Sequence, residues 1–203
     1  SWVEGGFYYS TFPKPVDGKE YSQSNEGSQI FFHKLGTKQS EDRLIFSDPK
    51  NPKISNYAST TSDGRYLLIY RTKGTYGNSL LIKDLNKKDE KFITVIKDFE
   101  SEVSVIDEVN GSLLVITDRD APNKKIVLID PKFPTEKKWK TIVREKDLPL
   151  TMANVINDNI ITHYMEDVIS TYKIYDSNGN FLKDVKLPGL GVSYGFGGNN
   201  NQL

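Results

Sequence analysis

A hairpin signal recurs along this chain at a fixed distance. Asp63-Gly64, Asn110-Gly111 and Asn157-Asp158 each stand between two short apolar runs. Residues of this kind tolerate the positive φ that a tight hairpin turn demands. From Asp63 to Asn110 is 47 residues, and from Asn110 to Asn157 is 47 again. Around these turns, short apolar runs alternate with Gly, Asn, Asp and Pro clusters, the pattern of strands joined by turns. The runs fall at Phe7–Thr11, Gln29–Leu35 and Arg43–Ser47, then at Tyr57–Thr61, Tyr66–Arg71, Ser79–Leu85 and Phe92–Ile96. They continue at Glu102–Val109, Ser112–Thr117, Lys125–Ile129 and Trp139–Val143, and at Met152–Asn157, Ile160–Met165, Thr171–Asp176 and Phe181–Leu187. Four strands every ~40–50 residues is the arrangement of a β-propeller blade. A β-sandwich also uses short strands, but it gives no reason for a 47-residue period.

Composition supports the same class. Only three alanines occur (Ala58, Ala121, Ala153), against many Ile, Val, Tyr and Phe. Alanine is the strongest helix former, whereas β-branched and aromatic side chains suit a half-buried pleated surface. The expected fold is all-β, a β-propeller fragment of about four blades with four antiparallel strands each. The blades are expected at approximately 1–48, 55–97, 101–144 and 150–188, with the start of a next blade at 190–203. Trp2 reads as the stub of a first strand before a Gly5-Gly6 turn, and Gly191–Phe196 as one strand of that next blade. Both ends then fall inside blades, which suggests a piece of a larger protein with bare blade faces open to self-association. Phe12–Ser28 breaks the pattern as a long polar loop, of a kind that is either functional or a solvated insertion.

Charge and side-chain inventory exclude several classes. Lys+Arg and Asp+Glu are equal at 27 each, so there is no basic excess for nucleic acid or an anionic membrane. No apolar run approaches the ~18 residues of a membrane span, and Ser1 opens no signal-peptide pattern. A soluble chain is expected, with cytoplasm and periplasm both open. Zero cysteines exclude disulfides and thiolate metal sites, and two histidines leave little for a metal cluster. No glycine-rich loop follows a strand and opens a helix, so neither a nucleotide nor any other cofactor is expected.

The remaining motifs read better as structure than as chemistry. Gly191-Val192-Ser193-Tyr194-Gly195 matches G-x-S-x-G, but a nucleophile elbow needs a helix after the serine and a histidine further on. Neither is present, and His163 precedes Ser193. His33 and His163 sit in apolar strands, where a hydrogen-bonded structural imidazole is expected. Asp118-Arg119-Asp120 offers two carboxylates, yet with Ala121-Pro122-Asn123 it reads as a loop. Asn110-Gly111-Ser112 is a glycosylation sequon better explained by its turn, and Lys132–Lys140 is a solvated loop leading to a strand at Trp139. No catalytic residue is assigned.

Several stretches, in order, resemble the propeller domain of the prolyl oligopeptidases, a family of serine peptidases. They are Ser1-Trp2 with the run Gly5–Ser10, the segment Leu35-Gly36-Thr37-Lys38-Gln39-Ser40-Glu41-Asp42, and Ser62-Asp63-Gly64-Arg65-Tyr66-Leu67-Leu68. Lys83-Asp84-Leu85, Thr117–Asn123, Lys138-Trp139-Lys140 and Leu187-Pro188-Gly189 continue the likeness, although the family usually has Asn where Asp118 stands. The resemblance implies an enzyme that cleaves short peptides after proline, with a Ser-Asp-His triad on an α/β-hydrolase domain capped by a seven-bladed propeller. This chain then corresponds to about four of seven blades, its partners being that hydrolase domain and, through it, short proline-containing peptides. Alone it is not expected to be an enzyme.

In the family an arginine closing the strand after the Asp-Gly-Arg-Tyr turn faces the substrate. An ungapped match puts Thr72 there, with Arg71 one place earlier, and strand alternation points these two to opposite faces. Carrying the role to Arg71 takes a one-residue slip, and a family methionine falls at Ser55 by the same match. Arg71 is the candidate substrate-facing residue. The other reading open to the sequence is a stand-alone propeller-type interaction module, in which Gly191–Phe196 completes the first blade and closes a four-blade ring.

Overall fold

The structure, a computed structural model, describes residues 1–19, 21–87 and 90–196. Among these residues sixteen strands form four antiparallel four-stranded sheets, each an up-and-down meander. The first contains β1 (Trp2–Val3), β2 (Gly6–Thr11), β3 (Gln29–Lys34) and β4 (Arg43–Ser47). The second contains β5 (Ser55–Thr60), β6 (Tyr66–Thr72), β7 (Ser79–Asp84) and β8 (Ile93–Ile96). In the third are β9 (Val103–Val109), β10 (Ser112–Thr117), β11 (Lys125–Ile129) and β12 (Lys140–Val143). The fourth has β13 (Leu150–Ile156), β14 (Asn159–Glu166), β15 (Ile169–Tyr175) and β16 (Phe181–Val185). The chain divides into two compact units, Ser1–Glu100 and the part from Ser101 onward, each holding two sheets.

The turns explain the registers. Asn110 and Gly111 both take left-handed φ (51° and 84°), as do Asn157 and Asp158 (49° and 59°). These are the conformations whose twist matches paired strands. One further tight turn has unexpected chemistry: Asp167 and Val168 join β14 to β15 with φ of 45° and 66°. A β-branched residue at positive φ is strained, and Val168 stands exposed there.

In the first unit the core packs Tyr8 and Ile30 against Leu67, Ile69 and Leu81. Tyr66–Ile69 are buried consecutively, so both faces of β6 are covered and the strand reads as an unbroken apolar run. In the second unit Leu114, Ile126 and Val143 meet Leu150, Ile160, Tyr164 and Tyr175. Each such side chain contributes about 1.5–3 kcal/mol on burial.

One expectation changes. Gly191–Phe196 forms no strand; it runs irregularly along the fourth sheet, held by side chains as described below. Ser193 N–H and Gly195 N–H donate to side-chain hydroxyls and not to a strand's carbonyl ladder. The stretch Gly197–Asn201, all Gly and Asn by sequence, lies outside the described residues. Among its described residues, Phe12–Ser28 contains no strand or helix before β3 begins one residue later.

Candidate functional site

Arg71 lies near the end of β6, directly opposite Asn56 on β5 and Ser79 on β7. Thr72 pairs with Ser55. The Arg71 guanidinium is tied down on two sides: Nε donates to Asn56 Oδ1 at 3.3 Å, and Nη2 donates to Asp48 Oδ2. Its carbon centre lies 5.8 Å from the centroid of the Phe46 ring, a cation–π distance. Asn56 is 1% exposed, so its amide must find partners inside the protein. Its Nδ2 donates to the Ser28 carbonyl at 2.8 Å, and its backbone N–H donates to Ser28 Oγ at 3.0 Å. Asn51 Nδ2 donates to Asp48 Oδ2 at 3.0 Å. The result is a fixed cation held by an ion pair, an amide and an aromatic face.

Ser193 and His163 also meet within one network, though not as a catalytic pair. The His163 ring lies on Tyr172, with centroids 4.6 Å apart and planes 12° from parallel. Nδ1 is 2.9 Å from Thr151 Oγ1, and Nε2 is 2.9 Å from Ser170 Oγ. The Thr151 hydroxyl also donates to the His163 carbonyl at 3.1 Å, and the Ser170 hydroxyl to the Ser193 carbonyl at 3.3 Å, so each ring nitrogen faces a hydroxyl that has a second partner. Burial holds the His163 pKa below the usual imidazole value. Ser170 Oγ in turn accepts from Ser193 N–H at 3.0 Å. Tyr172 Oη is 2.8 Å from Ser193 Oγ, donates to the Ser193 carbonyl at 3.1 Å, and accepts from Gly195 N–H at 2.9 Å. The imidazole therefore reaches Ser193 only through Ser170 and the backbone. A hydroxyl, Thr151, occupies the place where a triad would need a carboxylate. This is a clasp for the chain after Gly191.

The other sequence motifs are structural. His33 Nδ1 lies 2.7 Å from Asp42 Oδ1, and Asp42 Oδ2 accepts from Tyr9 Oη at 2.7 Å. That arrangement ties β2 and β3 to the turn before β4. Asp118 Oδ1 accepts from Glu102 N–H at 2.7 Å, and Asp120 takes a left-handed φ of 50°. Arg119 Nε donates to Ser101 Oγ at 3.2 Å. Among Lys132–Lys140, Trp139 Nε1 donates to the Pro134 carbonyl at 2.9 Å and Lys140 opens β12. Among the described residues no group of three or more His, Asp or Glu side chains is placed to hold a metal ion. Among the described residues no helix is long and apolar enough to cross a membrane.

Asn56, Asp48, Ser28, Thr151, Ser170 and Tyr172 were not singled out by sequence reading. A signal for two of them exists in register alone. Counting outward from the Asp63-Gly64 turn brings Asn56 opposite Arg71, and counting outward from Asp167-Val168 brings Tyr172 opposite His163.

Repeated four-stranded meanders mark a β-propeller segment. Comparison with known proteins gives the family. The profile of the prolyl oligopeptidase N-terminal β-propeller domain matches residues 1–202, and the chain belongs to that family. The prolyl endopeptidase of Elizabethkingia meningoseptica is 41% identical over 199 residues, covering 98% of this chain and 28% of that protein. Prolyl oligopeptidase A of Amanita bisporigera is 31% identical over 195 residues, covering 90% of this chain and 26% of its own length. A solved prolyl endopeptidase, studied for inter-domain dynamics in catalysis, superposes with a TM-score of 0.85 at 26% identity, covering 98% of this chain and 29% of that one. Prolyl oligopeptidase B of Galerina marginata, without ligand, gives a TM-score of 0.84 at 23% identity over 98% of this chain and 28% of that one, a likeness of fold. The chain thus spans little more than a quarter of the relatives it matches.

Proposed function

We propose that this chain supplies about four blades of the gating propeller of a serine endopeptidase that cleaves short peptides after proline. The match of residues 1–202 to the family's propeller domain carries this reading. On this reading the blades run at about 1–48, 55–97, 101–144 and 150–188, with the chain from about 190 leading toward a further blade. The chemistry of a ring of such blades is exclusion: a narrow channel passes small peptides and turns away folded proteins. The partner of the propeller is an α/β-hydrolase domain of the same parent protein, which holds the triad.

Arg71 is assigned to face the peptide. Its anchoring by Asp48 and Asn56 supports that role, because a cation fixed before binding loses little entropy on contact. The test begins with the 203-residue chain, exposed to a fluorophosphonate serine probe and a Gly-Pro chromogenic peptide. No label and no turnover are expected, whereas labelling at Ser193 with turnover would overturn the reading. The parent reading frame should then continue into a G-x-S-x-G segment followed by a histidine, and its product should turn over the same peptide. In that enzyme Arg71→Ala should raise KM more than it lowers kcat, since a recognition contact binds ground and transition states alike.

A further inference from the structure

The sequence holds two Asn-Gly pairs, Asn110-Gly111 and Asn178-Gly179. Both sit in hairpin turns, but their glycine nitrogens meet different partners. At the turn between β9 and β10, Gly111 N–H donates to the side-chain carboxylate oxygen Oε1 of Glu108. The Asn110 side chain is exposed, and among the described residues no hydrogen bond holds its amide. At the turn between β15 and β16, Gly179 N–H donates instead to the neutral Asp176 carbonyl at 3.0 Å. Asn178 N–H is bound to Asp176 Oδ1 at 2.9 Å. Gly179 also backs so closely onto Ile142 that an added Cβ would lie 2.1 Å from its carbonyl oxygen. That backbone has no room to swing.

We propose that Asn110 is a deamidation site with Glu108 as its built-in base. The Glu108 carboxylate takes the proton from Gly111 N, and that nitrogen attacks Asn110 Cγ, forming an N–C bond. The Cγ–Nδ2 bond breaks as Glu108 returns the proton to the leaving nitrogen, which departs as ammonia. Water then opens the succinimide at either carbonyl, giving aspartate or isoaspartate at position 110. Gly111 leaves the path to Cγ unobstructed because it has no side chain of its own.

The product has a consequence for packing. Glu108, Asn110 and Asp158 line one cleft of about 360 Å³, together with Val155, Ile160 and Ser177, where the third sheet meets the fourth. Deamidation adds a third carboxylate beside Glu108 and Asp158, and like charges at this range repel. Isoaspartate also lengthens the backbone by one carbon, which the two-residue turn cannot absorb without losing its register. The modification therefore loosens this end of the second unit.

The experiment ages the purified chain in warm neutral buffer and maps peptides by mass spectrometry for the gain of a single mass unit. Isoaspartyl methyltransferase labelling identifies the rearranged product. Asn110 should convert several-fold faster than Asn178. Glu108→Gln should slow Asn110 by about fivefold or more, a modest share of the ~100-fold or greater effect of a positioned base in an enzyme. The same variant should leave Asn178 unchanged. In denaturing urea the two rates should become equal, because Glu108 no longer sits on Gly111 N. Equal rates in the folded chain, an unchanged Asn110 rate in a Glu108→Gln protein with normal hydrogen exchange in β9 and β10, or unequal rates in urea would overturn the proposal.

Discussion

The Arg71 cluster in the first unit and the His163 cluster in the second are both built on a hairpin, and both satisfy buried polar groups. Arg71 stands opposite Asn56, and His163 stands opposite Tyr172. They differ in charge and in what they hold. The first fixes a permanent cation with Asp48, Asn56 and the Phe46 ring, and ties the two sheets of its unit through Ser28 and Asn56. The second contains a neutral imidazole and three hydroxyls, and grips a passing segment by its backbone. A fixed charge can still recognise a ligand once its partners are in place. A neutral chain of hydroxyls whose donors and acceptors are consumed by the protein has little left to offer one. The difference teaches that proximity of serine and histidine is a poorer guide to function than the direction in which their hydrogen bonds run.

Removing the hub of the first cluster should have the largest effect. Asn56→Ala leaves the Ser28 carbonyl and the Arg71 Nε short of a partner, at a position that is almost fully buried. At 1–3 kcal/mol for each stranded group, a loss of about 3 kcal/mol is expected. A urea titration should show a lower midpoint with an unchanged slope. A loss below about 1 kcal/mol would mean that water replaces the amide and that the cluster is open. Tyr172→Phe is the matching change in the second cluster and should cost less, about 1.5 kcal/mol, because the three contacts of its hydroxyl are only part-buried. Its sharper readout is local. Amide exchange at Gly195 should accelerate while the β14 and β15 core stays protected.

The turn that carries the His163 hairpin offers a change of opposite sign. Val168 is held at a φ of 66°. Glycine adopts that conformation freely, so Val168→Gly should stabilise the protein by about 1 kcal/mol, seen as a raised midpoint. An unchanged or lowered midpoint would mean that the extra freedom of glycine in the unfolded chain outweighs the relief of strain.

The architecture was legible because turn chemistry and period reinforce one another. Asn110-Gly111 and Asn157-Asp158 declare their turns, and the apolar runs between them have nowhere to go but into strands. Asp167-Val168 declared nothing, since valine is not a turn former, so the strands on either side read short and the pairing of His163 with Tyr172 was hidden. Gly191–Phe196 misled in the other direction. Its alternating apolar residues look like a strand, but its donors are taken by Ser170 and Tyr172 side chains, a tertiary event that local pattern does not encode. Arg71 was visible as a candidate, whereas its anchor Asp48 lies 23 residues away and only folding brings them together.

The smallest predicted effect separates the two clusters by pH. His163 is 6% exposed, and burial depresses its pKa in the folded protein. Near about pH 6.5 and below, the unfolded chain takes up a proton on this imidazole that the folded chain refuses. The unfolded state then binds more protons, so stability falls as pH drops through that value and levels off only once the folded imidazole also titrates. Above it both states are neutral at this position and the contribution vanishes. His163→Gln keeps a hydrogen-bonding side chain but removes the titration, so the difference between the stability profiles of the two proteins should bend below pH ~6.5 and run flat above it. The Arg71 guanidinium stays charged throughout, so Arg71→Gln should lower the whole profile without that bend. If the His163→Gln difference instead runs flat through pH ~6.5, the imidazole titrates alike in the folded and unfolded chains, and the clasp on Ser193 is looser than its distances imply.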